Sequence, residues 1–143
     1  MKTIIFDLDG TLCELRDPLA SSIVFLSRAM IEVVTDTQFA LVTGGTREEV
    51  EFVLKKAGVE DLFFKDLILT REDPFGEKKT GKPFREILRR VKGRAIVIGD
   101  SESDRLGSER AGLRCIFLAQ EQSLTRRIIS LEKAIKQAKN YLS

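Results

Sequence analysis

Histidine is absent from this chain of 143 residues. That excludes His-based nucleophile triads, imidazole acid–base catalysis and the commonest zinc sites together, and leaves carboxylates, Lys and Tyr for any proton transfer. Cysteine is scarce. Cys13 and Cys115 stand alone, neither in a C-x-x-C pair nor beside a candidate base, and read as structural thiols of a reducing compartment. No apolar run approaches the ~20 residues a spanning helix requires. The first residues enter a strand directly, without the charged and then apolar segments of a secretory leader. We therefore expect a soluble, cytoplasmic protein with no membrane partner. A marked excess of one charge is missing too: 24 Lys and Arg stand against 22 Asp and Glu, for a net charge of +2. This gives no strong nucleic-acid signal, and the basic runs at Lys78-Lys79, Arg89-Arg90 and Arg126-Arg127 read as solvated faces or loops.

What is present is an alternation of strand and helix patterns. Apolar runs at residues 3–6, 38–42, 67–70, 94–98 and 114–118 predict five strands. Helical spacing predicts a helix over 18–34, entered through Asp17-Pro18, and others over 46–57, 83–91, 101–111 and about 121–142. Thr46-x-x-Glu49 has the capping-box pattern, and Gly58 closes that helix. Residues 71–81, with Pro74 and Gly76, read as a loop. The length suits a single domain over 1–143. Strands alternating with helices at this pace predict a three-layer, Rossmann-like α/β fold with a mainly parallel five-stranded sheet.

In such a sheet ligands bind outside the carboxyl ends of the strands, and there the reactive residues collect. Asp7 and Asp9 follow the first strand, Thr43 and Gly44 the second, Gly81-Lys82-Pro83 opens the helix after the third, and Asp100 and Asp104 follow the fourth. Two carboxylates as close as Asp7 and Asp9 repel each other unless a cation lies between them or one keeps its proton.

Asp7-x-Asp9-Gly10-Thr11 resembles the first motif of the haloacid dehalogenase-like (HAD) phosphatases. Leu41-Val42-Thr43-Gly44, Gly81-Lys82-Pro83 and Gly99-Asp100-Ser101-x-x-Asp104 are similar to the second, third and fourth motifs, in order. The resemblance runs from residue 3 to about 118. It implies a Mg²⁺-dependent phosphomonoesterase in which Asp7 attacks phosphorus and forms an aspartyl-phosphate. Asp9 serves as proton donor and then acceptor, Thr43, Gly44 and Lys82 bind the phosphate, and Asp7, Asp100, Asp104 and the backbone at Asp9 surround the metal. Lys78 and Lys79 compete with Lys82, but lie in the loop. Arg16 and Arg47 follow strand ends and read mainly as surface charge.

The spaces between motifs are too short for a cap domain. A capless, open site suits a large phosphorylated substrate, or a small one enclosed by a neighbouring subunit of a homo-oligomer. Leu124, Ile128, Leu131, Ile135, Ala138 and Leu142 form a 4-3-4-3-4 seam that fits either a helix packed on its own sheet or such a neighbour. The same residues also permit phosphotransfer to another acceptor, or a catalytically silent regulatory protein. A receiver-like signalling module needs an Asp at the end of the third strand, and Leu69-Thr70-Arg71 provides none. Gly76 to Lys82 matches most of a P-loop, but Pro83 stands where a Ser or Thr must hold Mg²⁺.

Overall fold

Alternation along the strands sets the layering. In β1 (Lys2–Phe6), Ile4 and Phe6 face one side of the sheet and Ile5 the other. β4 (Thr37–Val42) sends Phe39 and Leu41 one way and Ala40 and Val42 the other, and β6 (Ala95–Gly99) divides Ile96 and Ile98 from Ala95 and Val97. Strands buried on both faces need covering on both, and two apolar clusters result. The larger lies under α1 (Arg28–Glu32), α2 (Arg47–Ala57) and α5 (Leu124–Leu142), and the smaller under α3 (Lys82–Arg90), with α4 (Glu102–Arg110) beside it. Each side chain so buried contributes about 1.5–3 kcal/mol. Phe6, Phe39 and Phe63 make a three-ring contact with centroids 5.8–6.2 Å apart, at the middle of the larger cluster.

The computed structural model describes residues 1–143. β5 (Phe63–Leu69) and β7 (Cys115–Phe117) complete a five-stranded sheet of order β5-β4-β1-β6-β7, parallel throughout. This is the three-layer, Rossmann-like arrangement expected, without a cap domain. β1 is the central strand. Its neighbours β4 and β6 carry the second and fourth groups of site residues, so the order of the sheet brings those groups to either side of Asp7.

The expected helix over 18–34 is not formed. Cys13–Glu14 (β2) pairs antiparallel with Ile23–Val24 (β3), a 3₁₀ turn occupies Leu19–Ser21, and the only α-helical part is α1. Ile23-Val24-Phe25 is β-branched and aromatic, and given a partner strand it takes extended pairing over helix. Val33, which shares the helical spacing of Leu19, Ile23, Leu26 and Met30, is exposed. β5 begins earlier than the apolar run 67–70 suggested, because Phe64, Lys65 and Asp66 lie exposed along a sheet edge, where inward–outward alternation is lost. The capping box at Thr46 and Glu49 is present in both directions, at 3.2 and 2.7 Å, and Gly58 ends α2. On α5, Leu131, Ile135, Ala138 and Leu142 are buried against the chain's own sheet, while Leu124 is exposed. No helix is long and apolar enough to cross a membrane.

Candidate active site

Asp7 continues β1 beyond its last residue, where its N–H donates to the Ile98 carbonyl at 3.0 Å. The carboxylate is thereby held at the carboxyl end of the sheet, almost fully buried. Asp100 follows β6, and Asp104 lies in the first turn of α4. Ser101 caps that helix: its hydroxyl donates to Asp104 Oδ2 at 2.8 Å and accepts from the Asp104 N–H at 3.2 Å, so one carboxylate oxygen of Asp104 is held by the cap. The other, Oδ1, lies 2.8 Å from Lys78 Nζ, which is also 2.6 Å from Asp7 Oδ1. One carboxylate oxygen from each of Asp7, Asp100 and Asp104 falls within a group whose members are all within 4.8 Å of one another.

Such crowding of negative charge needs compensation. Burial, then the nearby Asp104 charge, push the Asp7 carboxyl well above the usual carboxylate range, against the pull of Lys78. Burial also works against the ammonium of Lys78, but the facing Asp7 and Asp104 outweigh it and hold its pKa above the ordinary lysine value. Thr11 Oγ1 is 3.4 Å from both Asp7 Oδ2 and Asp100 Oδ1, and Gln120 donates to Asp100 Oδ2 at 3.1 Å. Gly10 has a φ of +84°, and a Cβ there would lie 1.9 Å from Asp100 Oδ2. Any side chain at position 10 would therefore displace the acid.

The remaining expected residues divide. Asp9 is exposed, and its Oδ1 accepts from the N–H of Leu15, just after β2, at 2.9 Å; its side chain is not in the three-acid group, which leaves only its backbone carbonyl for a metal. Thr43 is buried at the end of β4, with its Oγ1 accepting from the Gly45 N–H at 3.0 Å. Asp7, Asp9, Thr43, Gly44, Lys78 and Asp100 all line one cleft of about 500 Å³. Lys82 does not. It is exposed on the first turn of α3 and makes no ion pair, so the lysine of the site is Lys78.

The reason lies in the loop. Residues Lys78–Thr80 form a 3₁₀ turn that packs on α4 at Gly107, where a Cβ would stand 2.0 Å from the Lys78 carbonyl oxygen. That close approach lets Lys78 reach under α4 to Asp7 and Asp104. A lone glycine inside a helical pattern marks such an approach, and Gly107 was the available signal. Arg16 pairs with Glu14, and Arg47 binds the Ile68 carbonyl and Asp73, so neither enters the cleft.

A carboxylate at the end of the central strand, two further acids after the neighbouring strand and in the helix that follows it, and a lysine between them, on the parallel sheet of a three-layer fold, define a hydrolase of the haloacid dehalogenase-like class. The chain belongs to that family, whose sequence profile matches residues 27–118. The matched span begins after β1, so it is the sheet that ties Asp7 and Asp9 to the rest. No curated protein matches the chain. Among solved structures it resembles a provisionally identified β-phosphoglucomutase from Thermotoga maritima, with 16% identity and a TM-score of 0.69 over 96% of this chain and 99% of that one. The core domain of a provisionally identified phosphoglycolate phosphatase from Streptococcus pneumoniae aligns with 22% identity and a TM-score of 0.58, over 87% of this chain and 90% of that one. CbbY from Rhodobacter sphaeroides, solved in complex with phosphate, gives 16% and 0.63 over 87% and 88%. At these identities the likeness is one of fold.

Proposed function

We propose that the protein is a Mg²⁺-dependent phosphomonoester hydrolase acting through an aspartyl-phosphate on Asp7. The observation that carries this reading is the buried Asp7 carboxylate facing Lys78, Asp100 and Asp104 at the floor of an open cleft. The donor set suits Mg²⁺: hard carboxylate oxygens from Asp7 and Asp100, with Asp104 held by Ser101 behind them. When bound, the ion would neutralise negative charge on the phosphoryl group.

The chain's own residues supply the remaining work. Thr43 Oγ1, held in place by the Gly45 N–H, and the N–H group at Gly44 border the cleft and serve as donors to phosphoryl oxygens. Lys78 orients Asp7 and offsets the charge that gathers around it. An Asp7 carboxylate oxygen attacks phosphorus, and the bond from phosphorus to the leaving oxygen breaks as Asp9 gives that oxygen its proton. The Asp9 carboxylate then takes a proton from water, whose oxygen displaces Asp7 from phosphorus and regenerates both acids. The Leu15 N–H holds Asp9 Oδ1, which leaves Oδ2 for the proton.

The test is phosphate release from 4-nitrophenyl phosphate and a panel of phosphorylated metabolites, with Mg²⁺ or a chelator, for wild type and Asp7→Asn. Mg²⁺-dependent turnover that falls by about 10³-fold or more in the variant is expected. Turnover that survives the substitution would refute nucleophilic attack by Asp7.

A further inference from the structure

A second cavity of about 290 Å³ adjoins the catalytic cleft at the ends of β4 and β5. It shares Thr43, Gly44, Arg71 and Lys78 with that cleft. Its walls are apolar at Val42, Leu69, Phe75 and Pro83. The volume is near the lower limit for a small-molecule pocket, enough for a fragment of a few heavy atoms.

The charges around it are unequal in their engagement. Lys78 and Arg71 are the cations that line the two cavities, and Lys78 is clamped between Asp7 and Asp104. The Arg71 side chain has neither a hydrogen bond nor an ion pair, although acids surround it in sequence and in space. Glu72 accepts instead from the Arg47 N–H at 2.7 Å. Asp73 Oδ2 accepts from the Thr70 N–H at 2.8 Å and from Arg47 Nη2 at 3.3 Å. Glu49 is held by the Thr46 N–H at 2.7 Å, and Glu77 pairs with Lys79 at 3.3 Å. The Arg71 backbone is fixed, its N–H donating to the Gly45 carbonyl at 3.0 Å beside the expected phosphate donors. Arg126 apart, every other arginine has a side-chain partner or an aromatic face. A guanidinium on a fixed backbone, with each neighbouring acid already engaged, is left to bind an anion from outside the chain.

Resting on the hydrolase reading, we infer that the substrate is a metabolite-sized phosphomonoester whose leaving group carries a second anion, a carboxylate or another phosphate. The leaving group sits in this side cavity and its anion pairs with Arg71. The bidentate fork suits either group.

Kinetics would be compared in Mg²⁺ for 3-phosphoglycerate, a sugar bisphosphate, glycerol 3-phosphate as the counterpart with an uncharged leaving group, and 4-nitrophenyl phosphate, using wild type, Arg71→Ala, Arg71→Lys and the control Arg126→Ala. Wild type should prefer one second-anion substrate to glycerol phosphate. Arg71→Ala should raise KM for that substrate on the order of tenfold to a hundredfold, with a smaller change in kcat, and at least tenfold beyond any effect on 4-nitrophenyl phosphate. Arg71→Lys should recover part of the loss, and Arg126→Ala should show none. Which of the two anionic substrates is preferred separates carboxylate from phosphate. Calorimetric binding of the same compounds to Asp7→Asn, with and without Arg71→Ala, keeps the test independent of turnover. Arg71-dependent binding without hydrolysis in wild type would sink the hydrolase reading, and with it the substrate, while keeping Arg71 as the site of a ligand's second anion. An equal loss on all substrates, no preference for a second anion, or no binding of any small phosphomonoester would overturn it, the last pointing to a macromolecular phosphate.

Discussion

Replacing Lys78 with alanine, beside the same change at Lys82, decides which lysine serves the site. The Lys78 side chain is 12% exposed and meets Asp7 and Asp104, whose side chains are 6% and 1% exposed, at 2.6 and 2.8 Å. Removing it leaves two buried acids facing each other with no cation of the chain between them. Breaking a buried pair in this way costs about 3–5 kcal/mol. The lower figure applies, because Asp7, already pushed upward by burial, can take a proton in place of the lost charge. For a domain of this size ~3 kcal/mol lowers Tm by about 6–12 °C. Calorimetric melts in chelator should show that drop, with partial recovery in Mg²⁺, and kcat for phosphate release should fall about 10²-fold or more. Lys82→Ala, on an exposed first turn, should stay within ~0.5 kcal/mol of wild type and keep its turnover. Equal effects of the two substitutions, or a loss confined to Lys82, would refute the assignment.

Asp7→Asn should stabilise the metal-free protein. Burial raises the folded-state pKa of Asp7 above its unfolded value, so stability is fullest below the ordinary carboxyl range and declines as pH rises through the folded value. In urea denaturation with chelator, the variant should exceed wild type at pH 7, and the gap should shrink towards pH 4; a gap that widens on acidification contradicts the sign. Gly107→Ala should cost about 1–3 kcal/mol and lower kcat, because its Cβ would meet the Lys78 carbonyl oxygen at 2.0 Å and Phe84 at 2.7 Å; a variant more stable than wild type, as helix propensity alone would give, argues against the close approach. Burial pushes the Cys115 thiol up to about 11. At pH 8 about 0.1% of it is thiolate, against about a quarter for an ordinary cysteine, so iodoacetamide should react with the native protein about 200-fold more slowly than with the urea-unfolded chain; comparable rates would exclude the shift.

The parallel sheet and the positions of Asp7, Thr43, Asp100 and Asp104 were legible because each follows a short apolar strand, and the period of two in β1, β4 and β6 is undisturbed. The segment 18–34 was not, since Leu19, Ile23, Leu26 and Met30 keep helical spacing while Ile23 and Val24 take extended pairing with Cys13 and Glu14, a partner strand outside the segment. Lys78 was passed over for a related reason. A proline-started helix behind Lys82 is a local signal, whereas the path of Lys78 to Asp7 depends on Gly107, a contact between segments that spacing cannot express. Arg71 gave no sign in sequence at all: that it lacks a partner follows from Arg47 having taken Glu72 and Asp73 first.

The central place of β1 also bears on the order in which the protein is made. Asp7 is held by a hydrogen bond to Ile98, and β1 has β4 on one side and β6 on the other. Asp7 is thus synthesised well before β6, yet its pocket cannot close until β6 has been made and has docked. Until then β1 has one edge unpaired, and a strand so apolar is a template for wrong pairing. A long-range contact at the catalytic centre ties the onset of activity to late folding, so a stalled or truncated chain that lacks β6 would expose an aggregation-prone edge before it had any chemistry to offer.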